Sequence, residues 1–191
     1  MHEKKFFYQC LCFTAIITFA TWCLLIWDHF HGGVPSHHLL HRKELPAISN
    51  WWSGVLIPFV SWFLLYRLQK RVLANRRARP QVSKLPLNII YRFVVPLCYG
   101  AIISLLFTLK VAAIPGYMML GLLLIAFFYP VYLSECMLGF IIGMTLTFGA
   151  FISIAVTFIF SICGWLIYSF LRPAILHVLF KILSPVIRKK N

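Results

Sequence analysis

Residues 136–171 form a run of 36 positions without one charged side chain. A helix crosses the ~30 Å hydrocarbon core of a bilayer with about 20 apolar residues, so this run alone directs the chain toward a membrane. Four further apolar runs, 6–27, 51–66, 87–109 and 117–134, point the same way. Composition agrees: 61% of the chain is hydrophobic and 12% charged, against about 45–50% and about 25% in soluble domains. These values exclude an ordinary soluble globule, a disordered chain, a collagen and a disulfide-rich secreted module. The fold class implied is all-α: a polytopic transmembrane helical bundle, one domain over 1–191, with no internal repeat.

Charge gives the orientation. The net charge is +14, from 18 Lys and Arg against Glu3, Asp28, Glu44 and Glu135. Seven cations (Arg67, Lys70, Arg71, Arg76, Arg77, Arg79 and Lys84) crowd the loop 67–86, which should therefore be cytoplasmic. Lys4 and Lys5 agree with a cytoplasmic N-terminus, and Arg172, Lys181, Arg188, Lys189 and Lys190 with a cytoplasmic tail. Both ends on one side require an even number of crossings. The expectation is six, with 136–171 divided into two short, tightly paired helices. Five crossings, with one long tilted helix there, is the alternative. A bacterial inner (plasma) membrane is the expected location. The basic residues sit beside apolar spans, where they meet anionic head groups. No soluble basic domain is left to grip nucleic acid.

Local signals refine this. The run 6–27 is longer than a signal-peptide core and no small-x-small site follows it, so it reads as an uncleaved first span. Trp51 and Trp52 suit the interface. Arg92, near the start of its span, is placed to snorkel, and Glu135 is expected in a loop. Gly139-x-x-x-Gly143 suits close helix packing. The hydroxyls within the spans should bond back to their own helices. The cysteines fall in or at the edge of apolar runs, where thiols act as small hydrophobes, and no disulfide is expected. The tail 173–191 reads as an interfacial amphipathic helix.

Chemistry concentrates in the loop 28–50, expected on the extracytoplasmic side. Five of the seven histidines lie between positions 29 and 41. Gly32-Gly33 supplies a sharp turn. Ser36 is suited to cap a short helix from His37 to about Glu44, with Pro46 stopping it. On such a helix His37 and His41 share a face and Glu44 continues the stripe. His-x-x-x-His with a nearby carboxylate is ligand spacing for a divalent transition metal, zinc first. Folding at the diglycine would bring Asp28, His29 or His31 to His37 and His41. The expected ligands are His31, His37 and His41, then Asp28, His29 and His38. Asp28 and Glu44 are the candidate catalytic carboxylates. Arg42 is the nearest cation for Asp28, and Asn50 is suited to orient a histidine.

Three functions fit. The first is metal-dependent hydrolase or transferase chemistry on a lipid-like or amphiphilic substrate at the membrane interface. The second is a transporter or channel whose outer gate uses the histidines to sense metal or protons. The third is a structural subunit of a larger membrane complex. No His-Glu-x-x-His and no Gly-x-Ser-x-Gly appears.

Overall fold

The computed structural model describes residues 2–33, 36–38, 47–78, 87–111, 114–177 and 181. Five helices account for most of them: α1 (His2–Phe30), α2 (Ser53–Ala78), α3 (Leu87–Thr108), α4 (Ile114–Phe128) and α5 (Ser134–Leu166). Helix is what an apolar chain must form in hydrocarbon, because each backbone N–H and C=O then finds its partner within the segment. Four helical stretches, Lys4–Phe30, Asn50–Asn75, Leu87–Thr108 and Ser134–His177, are long and apolar enough to cross a membrane. Helix α4 is apolar but shorter.

One boundary differs from expectation. The fourth apolar run ends as helix at Phe128, because Pro130 interrupts it and a turn occupies 129–133. Helix α2 continues without a break through Arg67 and Arg71 to Ala78, carrying the span on into its basic end. The segment Ile167–Leu171 widens into a π-turn, and 172–177 return to α-helix. The remainder of the amphipathic tail, apart from Lys181, lies outside the described residues.

Helix α5 is broken at Gly149, whose φ of 72° and ψ of 167° are not helical. The break reverses the chain. Tyr132 and Tyr168 have ring centroids 6.0 Å apart, whereas a straight helix would separate positions 36 residues apart by about 54 Å. Met137 and Ser161 likewise line one cavity. Gly149 itself lies beside Asn50 and Ser53 at the start of α2. The limbs 134–148 and 150–166 therefore run back along each other. No proline or charge marks the turn because glycine alone supplies the positive φ it needs.

The first limb of α5 packs parallel to α3 in the most extensive helix pair of the molecule. Gly139 and Gly143 make this possible. A Cβ on Gly139 would collide with the carbonyl oxygen of Phe93, and one on Gly143 with that of Leu97. A Cβ on Gly100, facing them, would lie 2.9 Å from the Phe140 oxygen. The two backbones thus touch directly, as small residues allow in membrane helix pairs. Ser104 Oγ donates across the same seam to the Gly143 carbonyl (3.2 Å). The larger core cluster joins α1, α2 and α5 around Cys10, Leu64, Leu68, Leu138 and Ile141. A second, around Ile103, Phe140 and Met144, takes in side chains of α4 and of the second limb of α5. Other hydroxyls turn inward on their own helices: Thr14, Thr18, Thr21, Thr108, Thr145, Ser153 and Thr157 each donate to the carbonyl four residues back.

Candidate functional site

The Asn50 end of the bundle carries the start of the histidine loop. Helix α1 stops at Phe30 because Gly32 (φ 116°) and Gly33 (φ 91°) take left-handed conformations closed to most residues. The Gly33 N–H donates to the Asp28 carbonyl (2.9 Å) and the His31 N–H to that of Trp27 (3.1 Å). These bonds satisfy carbonyls that a helix end would otherwise leave open.

The turn sends three candidate ligands in different directions. Asp28 lines a cavity between α1, α2 and α5, together with Thr21, Asn50, Ser53 and Thr145 on otherwise aliphatic walls. It encloses about 840 Å³ of empty space, mouth included. His31 stacks on Trp27, with centroids 3.9 Å apart and planes 13° from parallel. Its Nδ1 lies 3.0 Å from the Trp27 carbonyl oxygen. A carbonyl only accepts, so Nδ1 is the donor here, and in the neutral ring Nε2 is the nitrogen left with a lone pair. This is the arrangement that prepares an imidazole to bind a metal. His29 makes edge contacts with Phe30 (5.4 Å) and Trp51 (5.9 Å). Trp51 thus packs against a histidine as well as suiting the interface.

The expected helix from His37 to Glu44 is corrected at its start. Ser36–His38 is a strand, β1, paired antiparallel with β2 (Ala47–Ser49), so that Ser36 faces Ser49, His37 faces Ile48 and His38 faces Ala47. An extended backbone cannot stack positions 37 and 41 as a helix does, so the reason given for pairing His37 with His41 fails. His41, Glu44 and Arg42 lie outside the described residues. Among the described residues no three of His, Cys, Asp and Glu form a group able to hold a metal. The ribbon still has a consequence. Strand β2 runs directly into Asn50, a cavity residue, so β1 ties His37 and His38 by backbone to the cavity rim.

Asn50 turns away from the role assigned to it. Its Oδ1 accepts from Ser53 Oγ (2.5 Å), and Ser53 Oγ accepts from the Ala150 N–H (3.0 Å). Ser53 thereby caps the second limb of α5 from a different helix. Both Ser53 (2% exposed) and Ala150 (0%) are buried, so this bond is what satisfies the donor.

A second polar centre occupies the opposite end, and it is absent from the sequence reading. Glu135, expected in a loop, stands in the first turn of α5 and is only 2% exposed. Arg71 donates from Nη2 to its Oε2 (2.5 Å), and Arg92 Nη1 lies 3.8 Å from Oε1. Burying a carboxylate without such partners would be prohibitive. Arg92 stands within ion-pair reach of Oε1 while a third of its side chain stays exposed, and its Cζ lies 5.8 Å from the centre of the Tyr129 ring. Burial pushes the Tyr129 phenol above its usual pKa and Cys136 adds to the rise, while Arg92 opposes it. The phenol stays neutral at physiological pH. The only sequence signal was a basic residue inside an apolar span on one helix and a lone acid beside another, 43 positions apart.

No protein family, curated protein or solved structure matches this chain.

Proposed function

We propose that the protein is a six-crossing integral membrane protein with both termini cytoplasmic. The loop 28–44 holds a divalent transition metal, zinc first, over the cavity between α1, α2 and α5. There it acts on the head group of a lipid-like or amphiphilic substrate. The observation that carries this reading is Asp28, a carboxylate on the wall of a largely aliphatic cavity directly beside the histidine loop. A carboxylate at the end of a span has usually acquired a partner or a task. The cavity combines aliphatic walls with a few polar groups at its Asp28 end, the lining of a site for an amphiphile. His31 offers its Nε2 as a donor there, and the backbone ribbon that joins His37 and His38 to the strand entering Asn50 makes them the next candidates. A metal there would polarise a phosphoryl or acyl oxygen and lower the pKa of bound water. The reversal at Gly149 and the seven cations from Arg67 to Lys84, at the basic end of α2 and before α3, support an even number of crossings, in the plasma (inner) membrane of a bacterial cell.

The test is elemental analysis of the purified protein after zinc supplementation, with Asp28→Ala, His31→Ala and His37→Ala in parallel. One zinc per chain in the wild type and loss of at least half in each variant is the expected result. A wild type without stoichiometric metal would overturn the proposal. Full retention in all three variants would overturn the ligand assignment.

A further inference from the structure

We propose that the Glu135 end of the bundle is a binding site for an acidic phospholipid, with its phosphate on Arg92 and Arg71 and an acyl chain in the adjoining apolar cavity. This site is independent of the histidine loop and lies at the other end of the molecule. The cavity, between α3, α4 and both limbs of α5, encloses about 530 Å³ of empty space, mouth included. Apart from the Tyr99 and Tyr129 phenols, Thr157 and Ser161, its walls are aliphatic, aromatic or sulfur-bearing. Thr157 donates its hydroxyl to the Ser153 carbonyl (2.6 Å) and Tyr99 donates to that of Met118 (2.6 Å). These walls therefore suit hydrocarbon.

The cavity's polar rim is built from the ion-pair centre. Val95 and Pro96 line the wall, and Arg92 stands one helical turn before them, on the same face of α3. Tyr129 lines the wall with its ring beneath the Arg92 guanidinium. Cys136 lines it next to Glu135. One carboxylate serves two guanidiniums, so the centre keeps a net positive charge. Each arginine side chain remains about one-third exposed (32% and 33%). A guanidinium has five N–H donors in a planar fork suited to phosphate; Arg71 spends one on Glu135 Oε2, and Arg92, 3.8 Å from Oε1, makes an ion pair without a hydrogen bond to it. Glu135 thus holds the pair in position while the outward donors stay open to an anion. Pro96, lacking an N–H, also leaves the Arg92 carbonyl without its helical donor, a fitting acceptor for a head-group hydroxyl. Charge complementarity selects the occupant: an amphiphile with a phosphate and no compensating ammonium.

Native mass spectrometry of the full chain in dodecyl maltoside tests this with three probes: phosphatidylglycerol, phosphatidylcholine of the same chains, and inorganic phosphate. The wild type should retain one phosphatidylglycerol per chain, at least tenfold more tightly than phosphatidylcholine, and no phosphate. Arg92→Gln should lower phosphatidylglycerol retention about tenfold. Ser161→Phe, which fills the cavity and leaves both arginines intact, should do the same. Equal retention of the two lipids by the wild type would overturn the proposal. So would binding of inorganic phosphate as tight as the lipid, which would mark a simple anion site. Undiminished retention in a folded Ser161→Phe would refute the acyl-chain cavity.

Discussion

Replacing Gly143 with alanine should destabilise this protein, although alanine is the better helix former. In an open helix the change would be worth about 1 kcal/mol of stability. At position 143 the new methyl meets backbone rather than side chain: the Leu97 oxygen, the Ala101 nitrogen at 2.9 Å and the Gly100 carbonyl carbon at 3.2 Å. None of these can rotate aside. Helix α3 and the first limb of α5 must separate by about 1 Å to restore ordinary C–H···O spacing. Separation also loosens the Ser104 bond to the Gly143 carbonyl. Overpacking of this kind costs about 1–3 kcal/mol; set against the propensity gain it leaves a net loss of up to about 2 kcal/mol, and contact with backbone on all sides places this site at the upper end. Gly121→Ala is the internal control, because its Cβ would meet only the Tyr99 hydroxyl, at an ordinary 3.5 Å. Thermal unfolding in detergent followed by circular dichroism reads both. Gly143→Ala should melt lower than wild type and Gly121→Ala at or above it. If Gly143→Ala melts as high as the control, the backbone contact between α3 and α5 is refuted.

Other perturbations have definite signs. Glu135→Gln leaves Arg71 and Arg92 facing each other without a counter-charge; it should cost about 1–3 kcal/mol, read as a lower midpoint in the same melt. Arg71→Gln removes only a third-exposed partner and should cost less. Ser53→Ala strips the buried Ala150 N–H of its acceptor and should cost about 1–3 kcal/mol. Hydrogen exchange should then show loss of protection confined to the first turn after Gly149. Gly149→Ala, at φ 72°, should lower the melting point further than any single helix-interior Gly→Ala on a lipid-facing surface.

Much of the architecture could be read from apolar periodicity and charge. The spans emerged because hydrocarbon sets a length that sequence must meet, and the Gly139–Gly143 pair because only small residues let backbones touch. The break in 136–171 was legible as a problem of length, since 36 uncharged residues overfill one crossing. Its position was marked only by the polar patch Thr145, Thr147, Gly149 and Ser153 in an otherwise apolar run, and the break falls at the glycine of that patch, the residue able to take the positive φ. Glu135 was misplaced for a different reason. Its partners Arg71 and Arg92 come from two other helices, and tertiary pairing across 64 and 43 positions has no local signature. The histidine segment differs for a local reason: a Ser36 cap and the His37–His41 spacing favour a helix starting at His37, and pairing of Ser36–His38 with Ala47–Ser49 overrides that preference. Tertiary context commonly decides such short segments.

The cavity between α3, α4 and both limbs of α5, and the even number of crossings, depend on the chain turning back at Gly149, and one cross-linking measurement reaches that point directly. In a background lacking the native cysteines, with its helicity verified, Tyr132→Cys and Tyr168→Cys are paired and treated with a short thiol-reactive cross-linker. Rings now 6.0 Å apart predict efficient intramolecular linkage, detected by mass spectrometry of the monomer. A continuous helix would hold these positions about 54 Å apart, and absence of the cross-link in the folded monomer would contradict the reversal.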